Sequence, residues 1–329
     1  MGRVSSFLYR VMLAPLATIA TEAAIAQSAP PLSGIQAVER TYLERAAITA
    51  ANEKCRLFTD GERMALQAGL FQARNELLRA DYAVAQINAL TAEVSAHAKT
   101  LGCEHPSVQN VAATIRDSYR QFAKTNFMTF PGKHADWEAS RSTHDTWGTK
   151  QTQPDTGAIL GLRRIDPADE RTAPRAQTQT GEKVLRLAAS VPATGPAPSS
   201  AQLRIRDPAK LSEPWIGGLM GDRSGLTPPP RAVATPIWAG RQANEWAARN
   251  EPVYVFYFGQ DAIDRIEALD PREAVTLELT PSPRAREQEP TRIVFEAGDF
   301  AAAHHFVMIP KPQPTAVEPS ATADVASAH

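Results

Sequence analysis

Between Ile35 and Phe130 the apolar residues recur at intervals of three, four and seven, and they fall into four sets. Ile35, Val38, Tyr42 and Ala46 form the first. Leu66, Leu70, Ala73 and Leu77 form the second, widened by Phe71 and Leu78. Ile87, Leu90, Val94 and Leu101 make the third, and Val108, Val111, Ile115 and Phe122 the fourth. Such spacings place each set on one face of an α-helix. Four such faces must bury against one another, and short connections favour antiparallel neighbours, so the segment predicts an up-down-up-down four-helix bundle. Boundary residues agree. Thr59-Asp60-Gly61-Glu62 has the form of a capping box, with the Thr59 hydroxyl accepting from the N3 amide and Glu62 reaching back. Asp60 and Glu62 also suit the positive end of the helix dipole. Pro106 fits a first helical turn, where its missing N–H costs nothing.

Past residue 130 the pattern changes. Pro106 is the one proline from Ile35 to Phe130, whereas beyond it prolines crowd in and short β-rich runs alternate with polar connectors. "TWGTKQTQ" and "GAILGLRRI" flank Pro154-Asp155-Thr156-Gly157, which reads as a hairpin. "EKVLRLAAS" and "AQLRIRDP" are two further strands, separated by "VPATGPAPSS". "PVYVFYF" is apolar on both faces and reads as an interior strand. "AVTLELT" alternates, which predicts Val275, Leu277 and Leu279 inward and Thr276, Glu278 and Thr280 outward. "TRIVFEA" is the last strand. "VYVFYFGQDAIDRIEAL" and "TRIVFEAGDFAAAHHFVMI" share an order of strand, glycine, aspartate and short helix. Asp261 and Asp299 are the expected N-caps there, with Gly259 and Gly298 easing the turn.

Seven strands and two short helices suggest an antiparallel sheet or sandwich. The fold class is therefore α+β: an N-terminal antiparallel four-helix bundle over residues 27–130, a connector and first strand over 131–152, and a β-rich domain over 153–309. "DPADERTAPRAQTQTGEK" reads as a mobile loop, and residues 310–329 as a disordered tail.

The first 26 residues read as a signal peptide. "MGRVSSFLYR" carries Arg3 and Arg10 and no acidic residue, and "VMLAPLATIA" supplies a short apolar run. Ala24-Ile25-Ala26 has the small-x-small form of a cleavage site, although Glu22 interrupts the approach to it. The expected mature N-terminus is Gln27. No later run reaches the ~18 apolar residues of a membrane span, so no membrane insertion is expected after cleavage. Net charge is −1, and acidic residues are interspersed with the arginines throughout. That pattern lacks the basic footprint of a nucleic-acid binder. A periplasmic or secreted location follows as the expectation.

In an oxidising compartment the two cysteines acquire a meaning. Cys55 falls at the end of the first predicted helix and Cys103 at the end of the third, which lie at one pole of an up-down-up-down bundle. The pair is expected to form a disulfide. Neither lies in a C-x-x-C motif, so no redox role is assigned. The β-rich region has no cysteine, so the bond is expected to support the helical region alone.

Candidate chemistry is sparse. G-x-S-x-G, H-E-x-x-H and S-x-x-K do not occur. "WIGGLMGDRSG" is glycine-rich but lacks the G-K-[ST] ending that brings a lysine to phosphate. "KHADWEASRSTHDTW" offers His134, Asp136, Glu138, His144 and Asp145 as nitrogen and carboxylate donors. It also reads as a polar connector in which Trp137 and Trp147 glue the two regions, and no metal is assigned. His97 occupies a seam position and is expected to be partly buried against a neighbouring carbonyl. His304-His305 point in different directions around a helix and cannot form an i, i+4 site. In Asp270-Pro271-Arg272-Glu273 an arginine sits beside two carboxylates, but Asp-Pro reads first as a turn.

"CRLFTDGERMALQAGLFQARNELLRA", "MTFPGKHADWEASR" and "EALDPREAVTLEL" resemble stretches of uncharacterised exported proteins of proteobacteria. The resemblance spans most of the mature chain. It implies an envelope location and no activity. The functional expectation is an exported periplasmic protein acting as a non-enzymatic interaction or accessory module of the envelope, its partner an envelope protein or a small ligand. No catalytic, cofactor-binding or metal residue is assigned, and no cofactor is expected. The alternative is a hydrolase or ligand-binding enzyme with its site at the junction of the two domains.

Overall fold

The computed structural model describes residues 34–166, 183–217, 225–246, 251–283 and 289–310. The expected signal peptide and cleavage site, most of "DPADERTAPRAQTQTGEK" and the tail beyond Pro310 lie outside the described residues. The class is α+β. Four helices come first: α1 (Gly34–Cys55), α2 (Asp60–Arg79), α3 (Val84–Thr100) and α4 (Pro106–Phe122).

Helix α1 is the hub, with α2, α3 and α4 all packed on it. Its burial is accordingly wider than one stripe. Tyr42, Ala46, Ile48, Ala50 and Ala51 are all buried, and the alanines let neighbouring helices approach closely. Two small cores result. Ile48, Ala51, Phe58, Leu66, Val108 and Ala112 form one, and Tyr42, Ala73, Leu77, Leu78 and Ile87 the other.

The termini behave as the sequence predicts. The Thr59 N–H donates to Glu62 Oε2 at 2.8 Å and the Glu62 N–H to Thr59 Oγ1 at 3.4 Å, completing the capping box. Pro106 occupies the first turn of α4. Cys55 and Cys103 are disulfide-bonded with Cα atoms 5.5 Å apart, closing 48 residues.

Helix α3 departs from the predicted stripe. Only Ile87 of that set is fully buried, and Ala98 is the other buried position. Between them the Thr91 hydroxyl lies 2.6 Å from that of Tyr42. His97, next to Ala98 and a quarter-turn or so round the helix, is exposed. The expectation of a seam histidine is overturned.

The remaining elements are β1 (Phe127–Phe130), β2 (Trp137–Ser140), β3 (Trp147–Thr152), β4 (Ile159–Ile165), β5 (Val184–Pro192), β6 (Ser200–Arg206), β7 (Ala234–Trp238), β8 (Arg241–Trp246), β9 (Pro252–Tyr257), α5 (Gln260–Glu267), β10 (Ala274–Thr280), β11 (Thr291–Glu296) and α6 (Phe300–Val307). One sheet has the order β1-β2-β3-β4-β5-β9-β8 and the other β11-β10-β6-β7. The described pairings are antiparallel throughout. The predicted hairpin is β3–β4, with Gly157 at a φ of +67° in its turn.

Strands β1, β2, β7 and β8 were not among the seven expected. The first two have four residues each, too few for alternation to register. β7 carries Pro236, which is tolerated because β7 is an edge strand. The predicted facing of β10 is corrected: Thr276 and Glu278 are 2% exposed, as buried as Val275 and Leu277. Glu278 is enclosed by Arg204, Arg231 and Gln202, each hydrogen-bonded to it. Burial pushes its carboxyl up, but the two guanidinium groups outweigh that and hold it below the usual glutamate range.

The main core joins Phe130, Trp137, Leu160, Leu187, Leu203, Val275 and Phe295 to Ile263, Phe300 and Phe306 of the short helices. It does not stop at the β-rich region. Met64, Ala65 and Phe71 of α2, with Tyr119 and Phe122 of α4, pack against the same cluster. Helix α2 is therefore shared between α1 on one side and α6 on the other.

Candidate functional site

That sharing leaves a cleft where α1 and α2 meet the start of α6. A cavity of about 370 Å³ is lined by Arg45, Gln72, Glu76, Arg79, Pro131 and Asp299, among others. A second, of about 150 Å³, shares Arg45 and Gln72 and is walled by Leu66, Ile115, Ser118, Tyr119 and Phe122.

Asp299 stands at the N-cap position of α6, as expected, but its carboxylate does not cap the helix. It accepts instead from Asn75 Nδ2 at 2.8 Å and from Arg79 Nη1 at 2.9 Å. Burial pushes the Asp299 carboxyl up from the usual aspartate range, against the pull of Arg79 and Asn75. Arg79 is further held by Glu76 at 3.1 Å and by the Pro131 carbonyl at 3.3 Å. Gly298, at a φ of +50°, brings the chain into this contact, and a Cβ there would meet the Trp137 ring at 3.1 Å. Asp261 does not cap either: Gly259 is the N-cap of α5 and Asp261 lies in its first turn.

Arg45 is differently placed. Its Nη1 donates to the Gly69 carbonyl on α2, and among the described residues no carboxylate pairs with it. Burial pulls its pKa down from the ordinary arginine value, with Glu44 acting against that. The guanidinium can lie there because residue 69 is glycine: a Cβ would sit 2.7 Å from Arg45 Cζ. Mid-helix glycine costs about 1 kcal/mol relative to alanine. Gly69 in "MALQAGLFQAR" is thus a local sign of this site in the sequence.

A second polar group lies at the far end of α6. His304 and His305, adjacent in sequence and not an i, i+4 pair, both face Glu267 of α5. The Nδ1–H of His304 donates to Glu267 Oε1 at 2.7 Å, and His305 Nε2 lies 4.0 Å from the same oxygen. Phe71 stacks on the His305 ring with centroids 5.3 Å apart. Among the described residues no serine, threonine or cysteine is hydrogen-bonded to either ring.

Burial pushes the His305 pKa below the usual histidine value; His304 adds to the effect and Glu267 opposes it. A histidine so held binds its proton more weakly folded than unfolded. Its contribution to stability is therefore complete above about pH 6.5 and is lost as pH falls toward the folded value. The melting temperature should drop as pH falls below about 6.5. His305→Phe, which keeps the stack and removes the titration, should flatten that part of the profile. Parallel profiles for the two proteins would exclude this role for His305.

Of the other residues singled out by sequence, Glu138, His144, Asp145 and Trp147 line a cavity of about 650 Å³ over β1–β3, and the rest do not join them. His134 has an exposed side chain, and its N–H donates to Glu296 Oε2 at 2.6 Å, joined by the N–H groups of Lys133 and Ala135. Asp136 accepts from the Gly132 N–H at 3.1 Å, and Glu138 pairs with Lys150 at 3.0 Å. Asp145 accepts from the Ser140 hydroxyl, while His144 is exposed. Among the described residues no group of three or more histidine, cysteine or acidic side chains is placed to hold a metal.

Trp137 is fully buried, with Nε1–H donating to the Ala297 carbonyl at 3.0 Å, so it ties β2 to the start of α6. Trp147 packs instead beneath the Arg163 guanidinium. Asp270–Glu273 is a turn, closed by the Glu273 N–H donating to the Asp270 carbonyl at 3.0 Å. Arg272 there binds Asp270 and reaches Asp81 at 2.9 Å. His105, Ser107 and the start of α4 form a cap, the Ser107 N–H donating to His105 Nδ1. No family model, curated protein or solved structure matches the chain.

Proposed function

We propose that the protein is an exported module of the cell envelope that binds a ligand or partner at the junction cleft, without turning it over. The observation that carries this reading is the pair of cavities meeting at Arg45, the larger reaching the β-rich region at Pro131 and Asp299 and the smaller lying among α1, α2 and α4. The conspicuous buried carboxylates elsewhere are committed to holding the fold: Glu273 to Arg206, Glu278 to Arg204 and Glu296 to the loop at 133–135. The leader-like first 26 residues and the disulfide support export, since such bonds persist in oxidising compartments. No helix among the described residues is long and apolar enough to cross a membrane.

Fractionation tests the envelope reading. Produced with its own first 26 residues in a bacterium with two membranes, the protein should leave with osmotic-shock fluid, and a version lacking those residues should stay in the cytoplasm. Identical cytoplasmic retention of both would overturn it.

A further inference from the structure

The cleft carries an imbalance of charge that specifies a ligand. Glu76 and Asp299 are both engaged by Arg79, and Glu44, the acidic neighbour of Arg45, is paired with Arg40 at 2.8 Å on the exposed face of α1. Arg45 is left as a cation whose hydrogen bond to a described residue goes to one carbonyl. A guanidinium offers five N–H donors in a planar fork that matches a carboxylate. The smaller cavity beside it, about 150 Å³, is walled by Leu66, Ile115 and Phe122. A space of that size suffices for a benzene ring, and this one is partly open to solvent. Ser118, Tyr119 and Gln72 line it as well, and their side chains make no hydrogen bond to described residues. Tyr119 reaches its position across a second glycine of α2: a Cβ on Gly61 would lie 2.4 Å from the Tyr119 hydroxyl.

We infer that this cleft binds a small organic carboxylate, its carboxylate forked on Arg45 and its apolar body, about the size of a benzene ring, against Leu66, Ile115 and Phe122. A single negative charge matches Arg45, since Arg79, the other arginine lining the cleft among the described residues, is already paired with Asp299. A doubly charged anion such as phosphate would bring a second charge that Arg45 does not balance, beside the Asp299 and Glu76 carboxylates of the larger cavity. The inference rests on the junction cleft as the binding surface and is independent of export, so a protein that is exported yet binds no carboxylate would fail this test alone.

The experiment is a titration of the oxidised protein, followed by NMR chemical shifts, with benzoate, benzyl alcohol and inorganic phosphate as probes. Benzoate should shift resonances of α1, α2 and α4 saturably, and benzyl alcohol should bind roughly tenfold more weakly or worse, the loss expected for a charge-assisted pair. Phosphate should neither shift the same resonances nor displace benzoate. Arg45→Met should weaken benzoate by a similar factor and leave benzyl alcohol unchanged. Ile115→Trp, which fills the apolar half and keeps Arg45, should abolish both, and it decides the matter if the arginine variant does not fold. Absence of saturable benzoate shifts, equal binding of benzoate and benzyl alcohol, or competition by phosphate would each overturn the proposal.

Discussion

Replacing Glu273 by alanine is expected to destabilise the protein by about 3–5 kcal/mol, the cost of breaking a buried ion pair from one side. Glu273 and Arg206 are 2% and 6% exposed at their side chains. The pair is bidentate, Nε to Oε1 at 2.5 Å and Nη2 to Oε2 at 3.0 Å. The carboxylate also accepts the N–H of Trp215 at 3.0 Å and that of Asp270 at 2.9 Å. Removing it strands a buried guanidinium and two backbone donors at once, between β6 and the turn that starts β10. Glu138→Ala, which breaks the exposed pair with Lys150, is the control and should cost no more than about 1 kcal/mol. Chemical denaturation of both variants measures the difference. Equal losses would show that burial at Glu273 does not have the weight assigned to it.

Reduction of Cys55–Cys103 is expected to lower stability by about 2–5 kcal/mol. The 48-residue separation corresponds to roughly 4 kcal/mol of denatured-state entropy in the loop-closure picture. Its effect will not spread evenly. Helix α3 packs chiefly on α1 and buries only Ile87 and Ala98, so the bond at its C-terminal end is a large part of what fixes it. Helices α2 and α4 are held by the main core as well. Amide exchange after reduction should accordingly rise first and most in α3, less in α2, and least in β4, β5 and β9. The sequence-based expectation that the bond serves the helical region as a separate unit is thereby narrowed to α3 and the end of α1. Uniform acceleration across all four helices would contradict it.

What could be read from the sequence follows the range of the interactions. The helices announce themselves because i, i+3 and i+4 positions report burial directly, and the capping box at Thr59 is a contact between residues three apart. The cysteine pairing was legible because helix order alone brings residues 55 and 103 to one pole. Long-range polar contacts were not legible. Alternation assigns Glu278 to solvent, but Arg204 and Arg231, distant by 74 and 47 positions, fold over it. Asn75 and Asp299 are 224 residues apart and still share a hydrogen bond. Nothing local to either residue signals that pairing. His97 was misplaced by a single position on α3 because Leu90, Val94 and Leu101 suggested a stripe, whereas the packed face uses Thr91 and Ala98. The donors around His134 looked like ligands since the sequence shows which side chains are present and conceals that Glu296 binds the backbone between them.

The central claim is an exported, disulfide-braced binding module, and one measurement tests its first two terms together: the intact mass of the protein recovered from the cell envelope without reductant. The mass predicted is that of Gln27–His329, lighter by two hydrogen atoms for the Cys55–Cys103 bond. A chain that retains Met1 and carries two free thiols would contradict it.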